Sequence, residues 1–505
     1  MAFFYVDFLK NLTPDSVQAF LLFFLCGSEM VFLFFAVFCF YAVICFMRLS
    51  CIASALMVKF TNQKGGASVE FLFGLASAGS QIFNIIMFLV QCTIIFLAFY
   101  YLTLSFFGLY RKKETKVPDP VKTFAVVVAA HNEEAVIGPL AENLAQLNYP
   151  KEYYDVFVIA DNCTDQTATI ARKAGAIVHS RFSAEKRGKG YALEWMFQRL
   201  FAMERKYDAV VVFDADNLVK ENFLAEMNSK LCQGYKIIQC YIDSKNPFDT
   251  WVTNSSSITF WVINRLLQLA RFNTGRLSNY LGGTGMCIAM DVLKELGWET
   301  TSLTEDLEFS IKALSSGIKT TWAHDTVVYD EKPLTFRQAW FQRKRWVQGH
   351  TDVAGRYFFP LIIMGIKKRR LMYFDAAIHL FQPVLVMVAA FFMLINCLPV
   401  FQQYYAHVFA HVLPWTGWQI LTAIQYIFPL AALILDRLPW RAFLGLLLYP
   451  LFIYSWIPIV FLGFLTRKNK QWSHTKHTRS INIEEVIKEK KMSIGWHFLK
   501  SQENL

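Results

Sequence analysis

Apolar stretches long enough to cross a bilayer flank a central region in which short apolar runs alternate with polar clusters. Residues 17–47 are almost continuously apolar, interrupted by Glu29, and suit one tilted crossing. A second run, about 82–110, ends on Arg111-Lys112-Lys113. After the central region, 352–368 is too polar to span and is expected to lie along a membrane surface. Further spanning candidates are about 374–398, 418–435 and 443–465. Full crossings by all of them would carry the basic tail, 467–491, to the side its charge disfavours. Residues 440–465, which hold Pro450 and Pro458, are therefore expected to break into an interfacial piece. Glu29, Asp375, His379, Gln382 and Gln425 are costly in lipid and should face protein or a polar cavity, with Asp375 at an interface.

Within residues 118–350 the pattern changes. The runs 124–130, 156–160 and 209–213, rich in Val and Ala, read as buried parallel strands. Amphipathic segments at 134–147 and 190–200 separate them, which predicts a doubly wound α/β sheet. Ligands bind such sheets at the carboxyl ends of the strands. His131-Asn132-Glu133, Asp161-Asn162 and Asp214-Ala215-Asp216 each follow a run directly. The expected organisation is a transmembrane region (1–117), an α/β domain (118–350), interfacial and transmembrane helices (351–465) and a basic tail (466–505).

Composition supports the membrane reading. The 505 residues are 55% hydrophobic and include 48 Phe, more apolar surface than a soluble domain carries. The net charge of +11 is concentrated beside apolar segments, at 111–113, 367–370 and 467–468. That is the positive-inside pattern, and no nucleic-acid recognition motif accompanies it. The ten cysteines form no C-x-x-C pair, which argues against zinc and thioredoxin-type chemistry and fits a reducing compartment. Met1 to Lys10 lacks a basic n-region, so no cleavable signal peptide is expected.

Four clusters carry chemistry. Asp214 and Asp216 can hold Mg²⁺ or Mn²⁺ with a diphosphate, although Asp is also common in strand-end turns. Asp161 and Asn162 can accept from a nucleobase, while Thr164 or Asp165 caps the next helix. Lys186-Arg187-Gly188-Lys189-Gly190 offers cations to a pyrophosphate, or is a solvated basic loop. Thr304-Glu305-Asp306 opens an amphipathic helix; a carboxylate there suits a general base for a sugar hydroxyl, and equally an ordinary helix start. Gln342, Arg345 and Trp346 fall on one helix face, Arg for diphosphate and Trp for the C–H surface of a sugar. Trp and Arg are also membrane-interface anchors.

The ordered series Asp161, Asp214-Ala215-Asp216, Thr304-Glu305-Asp306 and Gln342-x-x-Arg345-Trp346 resembles the membrane-integrated, processive family 2 glycosyltransferases, the cellulose, hyaluronan and chitin synthase group. The resemblance covers roughly residues 118–350 and the flanking membrane segments. It implies a GT-A fold inserted between transmembrane helices, at the plasma or inner membrane with the catalytic domain cytoplasmic. It implies an inverting transfer from a UDP-sugar, with UDP-glucose the first choice, to a growing polysaccharide exported through the protein's own channel. Asp216 would hold the metal and Asp306 would be the base, with Glu305 beside it. Asn132, Glu133, Asp161, Lys189, Asp214, Gln342 and Arg345 would surround the donor. Trp346, at the channel mouth, would meet the acceptor, and Gly282 and Gly283 lie where the group holds the acceptor end. Residues 472–479, with Trp472, Thr475 and Lys476, are similar to the group's gating segment, without its usual form or a following span. The rival readings are a non-processive transferase acting on a lipid-linked acceptor, and a transporter or receptor with a degenerate soluble domain.

Overall fold

The computed structural model describes residues 88–89, 92–117, 119–396, 415–469 and 477–493. It comprises two units. In the first, Met1–Thr103 with Phe392–Ala423, residues 88–89, 92–103, 392–396 and 415–423 are described, and all are helical. The second, Leu104–Phe391 with Ile424–Leu505, contains the sheet and the site. The expected crossing at 17–47 lies outside the described residues.

The three apolar runs are strands: β1 Phe124–Ala130, β2 Tyr154–Asp161 and β4 Ala209–Asp214. Alternate side chains enter different cores. Val126, Val128, Val158 and Val211 join one apolar cluster, while Ala125, Val127, Ile159, Val210 and Val212 join another. Burial on both faces explains why these runs are continuously apolar rather than alternating.

The sheet has eight strands in the order β3-β2-β1-β4-β7-β6-β8-β5, adding β3 Ile177–Arg181, β5 Leu218–Val219, β6 Ile237–Ser244, β7 Met286–Ala289 and β8 Thr320–Asp330. The half β3-β2-β1-β4 is parallel, as a doubly wound sheet would be. The other half departs from that expectation. β7 runs antiparallel to both β4 and β6, β8 is parallel to β6, and β5 is antiparallel to β8. The reversal of β7 matters to the site. It turns the amino end of β7, next to Gly282-Gly283, toward the edge where β4 ends on Asp214, and Asp214 N donates to Thr284 Oγ1 at 3.2 Å.

The cluster Gln342–Trp346 lies on a 33-residue helix, Phe336–Lys368, which continues through the polar stretch 352–368. Thr335 and Gln338 form a capping box at its start. Among the described residues, one helix, over Leu371–Val388, is long and apolar enough to cross a membrane by length and composition. Asp375 on this helix faces the protein interior and is 1% exposed. It accepts from Arg271 Nε at 2.9 Å and Nη2 at 3.0 Å and from the Tyr280 hydroxyl at 3.2 Å. A planar guanidinium satisfies both carboxylate oxygens, so the acid can be buried here. Residues 440–465 form short helices, Trp440–Gly445, Tyr449–Tyr454 and Trp456–Leu465, with Pro450 and Pro458 in the first turns of the last two. Those are helix positions where a missing N–H costs nothing.

Candidate active site

The carboxyl ends of the strands open onto one cavity of about 890 Å³. At the end of β1, Asn132 has φ 54°, and at the end of β2, Asn162 has φ 52°; Asn tolerates this left-handed turn conformation better than most residues. His131 Nδ1 joins the two ends through Asp161 O at 2.7 Å. Asp161 lines the cavity and is paired with buried Arg181 from the end of β3. Asp165 Oδ1 accepts from Thr167 N at 3.0 Å and from the Thr167 hydroxyl, from just outside helix Thr167–Lys173, whose N-cap position is Gln166 and carries no side-chain cap bond. Asn132 is not in the cavity lining; its Oδ1 accepts from Thr164 N at 2.8 Å, a turn-forming bond.

Of the other anticipated residues, Glu133, Asp161, Lys189, Asp214 and Asp216 line the strand-end wall of the cavity. Gly282, Gly283, Glu305, Asp306, Gln342, Arg345 and Trp346 line the rest. Trp472, Thr475 and Lys476 lie outside the described residues, but His477 lines the cavity. Close backbone approach brings the elements carrying Asp306 and Trp346 together. A Cβ on Gly349 would come within 2.6 Å of Thr304 N, so only glycine lets the Phe336–Lys368 helix reach the start of helix Glu305–Ser315. Thr304 is the N-cap residue by position, yet its side chain makes no cap bond. The ordinary helix-start explanation of the cluster therefore does not account for the threonine.

The charges are unevenly compensated. Lys189 Nζ bonds Asp214 Oδ1 and, at 2.6 Å, Gly283 O, tying the β4 end to the loop before β7. Burial pushes the Asp306 carboxyl up to about 7, Glu305 adds to the rise, and Leu307 N–H and Lys189 oppose it. For Asp216, burial pushes up, but His477, Lys245 and the Glu331 N–H outweigh it and hold the carboxyl below its ordinary value. His477 shows the reciprocal effect. Burial lowers it, yet Asp216, Glu133 and Glu331 raise it to about 10, so the imidazole is cationic at neutral pH.

A divalent cation fits this wall. Asp330 Oδ1 is buried without a hydrogen-bond partner among the described residues. Burial pushes the Asp330 carboxyl up to about 6; Lys332 opposes the rise, and Asp216 and Asp214 add to it. Among the described residues no group of three or more His, Cys, Asp or Glu side chains is arranged to hold a metal. A Mg²⁺-type ion does not need one, since it is commonly held by one or two carboxylates with substrate phosphates.

Several supporting residues escape a reading of the sequence. Glu331 N donates to Asp216 Oδ2 at 2.8 Å, while the Glu331 carboxylate accepts from Thr478 N and Arg479 N, both at 3.1 Å. One residue thus holds Asp216 and the tail together. The signal was available, because Asp330-Glu331 follows a strand as the other clusters do. β8 begins Thr-Thr-Trp-Ala-His-Asp, however, and lacks the apolar run that marked the others. Arg181 ends a short strand with exposed positions and gave no such signal.

Residues 120–349 match the family profile described as "Glycosyltransferase like family 2". "Probable glycosyltransferase YdaM" of Bacillus subtilis (strain 168) is 25% identical over 272 residues, covering 50% of this chain and 60% of that protein. "Beta-monoglucosyldiacylglycerol synthase" of Synechocystis sp. (strain ATCC 27184 / PCC 6803 / Kazusa) is 27% identical over 234 residues, covering 46% and 48%. "Poly-beta-1,6-N-acetyl-D-glucosamine synthase" of Staphylococcus aureus (strain COL) is 26% identical over 270 residues, covering 52% and 62%. The chain thus spans about half to three fifths of the length of these curated relatives. Among solved structures, the mannosyltransferase PcManGT from Pyrobaculum calidifontis in complex with GDP-Man and Mn²⁺ aligns with a TM-score of 0.47 at 18% identity, covering 70% of this chain and 97% of that one. Residues 120–349 thus form an α/β domain on a mixed sheet that matches family 2 glycosyltransferases.

Proposed function

Starting from a family 2 glycosyltransferase domain, we propose that this protein is a membrane-associated, inverting hexosyltransferase that uses a UDP-sugar and extends a saccharide acceptor. The observation that carries the reading is the convergence of Asp161, Asp214, Asp216, Asp306, Gln342, Arg345 and Trp346 on one cavity from separate elements. Its volume of about 890 Å³ has room for a nucleotide sugar together with part of an acceptor.

In this reading Asp306 takes the proton of the acceptor hydroxyl as that oxygen bonds the anomeric carbon and the bond to the diphosphate breaks. The nucleoside diphosphate leaves. Asp214 and Asp216 would hold a divalent cation, which when bound neutralises charge on the leaving diphosphate. Lys189 and Arg345 add fixed positive charge on the donor and acceptor sides of that group. Trp346 presents an apolar face to an acceptor ring, and the cationic His477 stands against Asp216 from the tail.

Processive synthesis with export is the acceptor reading we favour, from the aromatic platform on the Gln342–Trp346 helix. A lipid acceptor is the second reading, favoured by the glucosyldiacylglycerol synthases among the relatives. Both are tested together. Full-length protein in lipid nanodiscs is given UDP-glucose or UDP-N-acetylglucosamine with Mg²⁺ or Mn²⁺, and UDP release and product size are measured. Long polymer supports the first reading, a single sugar on lipid supports the second, and no UDP release with any donor overturns both.

A further inference from the structure

The cluster Gln342-Arg343-Lys344-Arg345-Trp346 has two faces. Gln342, Arg345 and Trp346 line the large cavity. Arg343 points elsewhere and is 2% exposed. Its Nε donates to Ala339 O at 3.0 Å within its own helix, and its Nη1 donates to Phe452 O at 3.2 Å and Ser455 Oγ at 2.8 Å.

Those partners lie at a special place. Ser455 separates the helices Tyr449–Tyr454 and Trp456–Leu465, and Phe452 O is one of the last carbonyls of the first of them. Such carbonyls have no partner within their own helix, and a cation is their preferred neighbour. The Arg343 guanidinium also lies 4.1 Å from the Phe452 ring centroid and 5.3 Å from that of Trp456. Its hydrogen bonds among the described residues go to carbonyls and a hydroxyl, and burial lowers it to about 10, so it stays charged at neutral pH. Carbonyl, hydroxyl and aromatic faces compensate this charge. Four residues on, Val347 packs with Ile459 and Val460, and Gln348 Nε2 donates to Thr466 O at 3.0 Å.

A small cavity of about 30 Å³ lies between the two faces. Trp346, Gln342 and Phe260 wall one side, and Arg343, Phe452 and Trp456 wall the other. Trp346 meets Phe260 edge to face at 6.2 Å. Trp346 and the helix junction that Arg343 holds therefore line one small cavity. Of the strand-end acids, Asp161, Asp214 and Asp216 do not line this cavity, whereas Asp330 does.

We propose that Arg343 is a positioning residue: through Phe452 and Ser455 it fixes the Trp346 platform against the helix pair 449–465, and so governs acceptor seating and not donor binding. This rests on the glycosyltransferase reading above. With the anchor loosened, donor still binds, and water competes better with the acceptor hydroxyl at the anomeric carbon. The measurable consequence is a larger share of free hexose among the products.

The test uses full-length protein in nanodiscs with the UDP-sugar that the wild type turns over. Inhibition by UDP reports the donor wall, and the ratio of transferred to hydrolysed hexose reports acceptor seating. Ser455→Ala, which removes the bond from Arg343 and the Ser455 hydroxyl's own bond to Phe452 O, should shift the ratio toward hydrolysis by about 2- to 10-fold. Arg343→Met should shift it further, Arg343→Lys should restore part of it, and UDP inhibition should stay at the wild-type value in all of them. If Arg343→Met fails to bind UDP it has not folded, and Ser455→Ala with Arg343→Lys decides. An unchanged ratio in those variants, or a loss of UDP inhibition in step with activity, overturns the assignment. Absence of turnover in the wild type would instead overturn the functional reading on which it rests.

Discussion

Asp306 is under opposing demands. A base must be ionised to accept a proton, yet burial and the neighbouring Glu305 push its carboxyl up to about 7. The donor kcat/KM should therefore fall as pH drops below about 7, close to tenfold per unit, and level off above it. A profile flat through that region would remove Asp306 from the role. The same shift acts on stability in the opposite direction. A carboxyl raised in the folded state stabilises the fold fully below its ordinary value of 3.8, and that contribution is lost as pH rises through about 7. At pH about 8 Asp306→Asn should accordingly unfold at higher denaturant than wild type while losing turnover, a trade common at catalytic groups. Asp161 presents the contrasting case, with Arg181 as buried partner; the pair is 8% and 6% exposed. Arg181→Met should cost about 3–5 kcal/mol in equilibrium unfolding, since it strands a buried carboxylate. A cost under about 1 kcal/mol would mean that solvent or another group screens Asp161.

The legibility of the elements followed their burial. Strands buried on both faces left continuous apolar runs, so β1, β2 and β4 and the acids at their ends could be read directly. β7 is a four-residue strand, Met286–Ala289, too short to show a period, and its antiparallel insertion turned the expected all-parallel sheet into a mixed one. Partnerships between distant residues, such as Glu331 with Asp216 or Arg343 with Ser455, have no trace in local sequence. The meeting of the Glu305–Ser315 and Phe336–Lys368 helices depends on Gly349. Gly349→Val would drive side-chain atoms into the Thr304 backbone and should destabilise by about 1–3 kcal/mol. Because Thr304 precedes Asp306, turnover should fall more than UDP binding. Equal losses in both would mean that the contact only supports the fold.

At the scale of the molecule, apolar helices and a strand-end cavity occur in one chain, and the Gln342–Trp346 cluster, the proposed acceptor platform, lies on the helix that packs against the short helices at 440–465. Trp346→Ala should shorten the product or lower its yield while sparing donor affinity; normal product size per folded molecule would reduce Trp346 to an anchor. All of this depends on the cavity being a site of glycosyl transfer with Asp306 at its centre. The most direct measurement is hexose transfer from UDP-sugar by purified full-length protein and its Asp306→Asn variant, with donor affinity measured on the same samples. The account predicts UDP release by the wild type with Mg²⁺ or Mn²⁺, and a variant that binds donor as tightly but turns over about 10²–10⁴-fold more slowly. Wild-type rates from Asp306→Asn, or a wild type that binds UDP-sugar and never releases UDP, would contradict it.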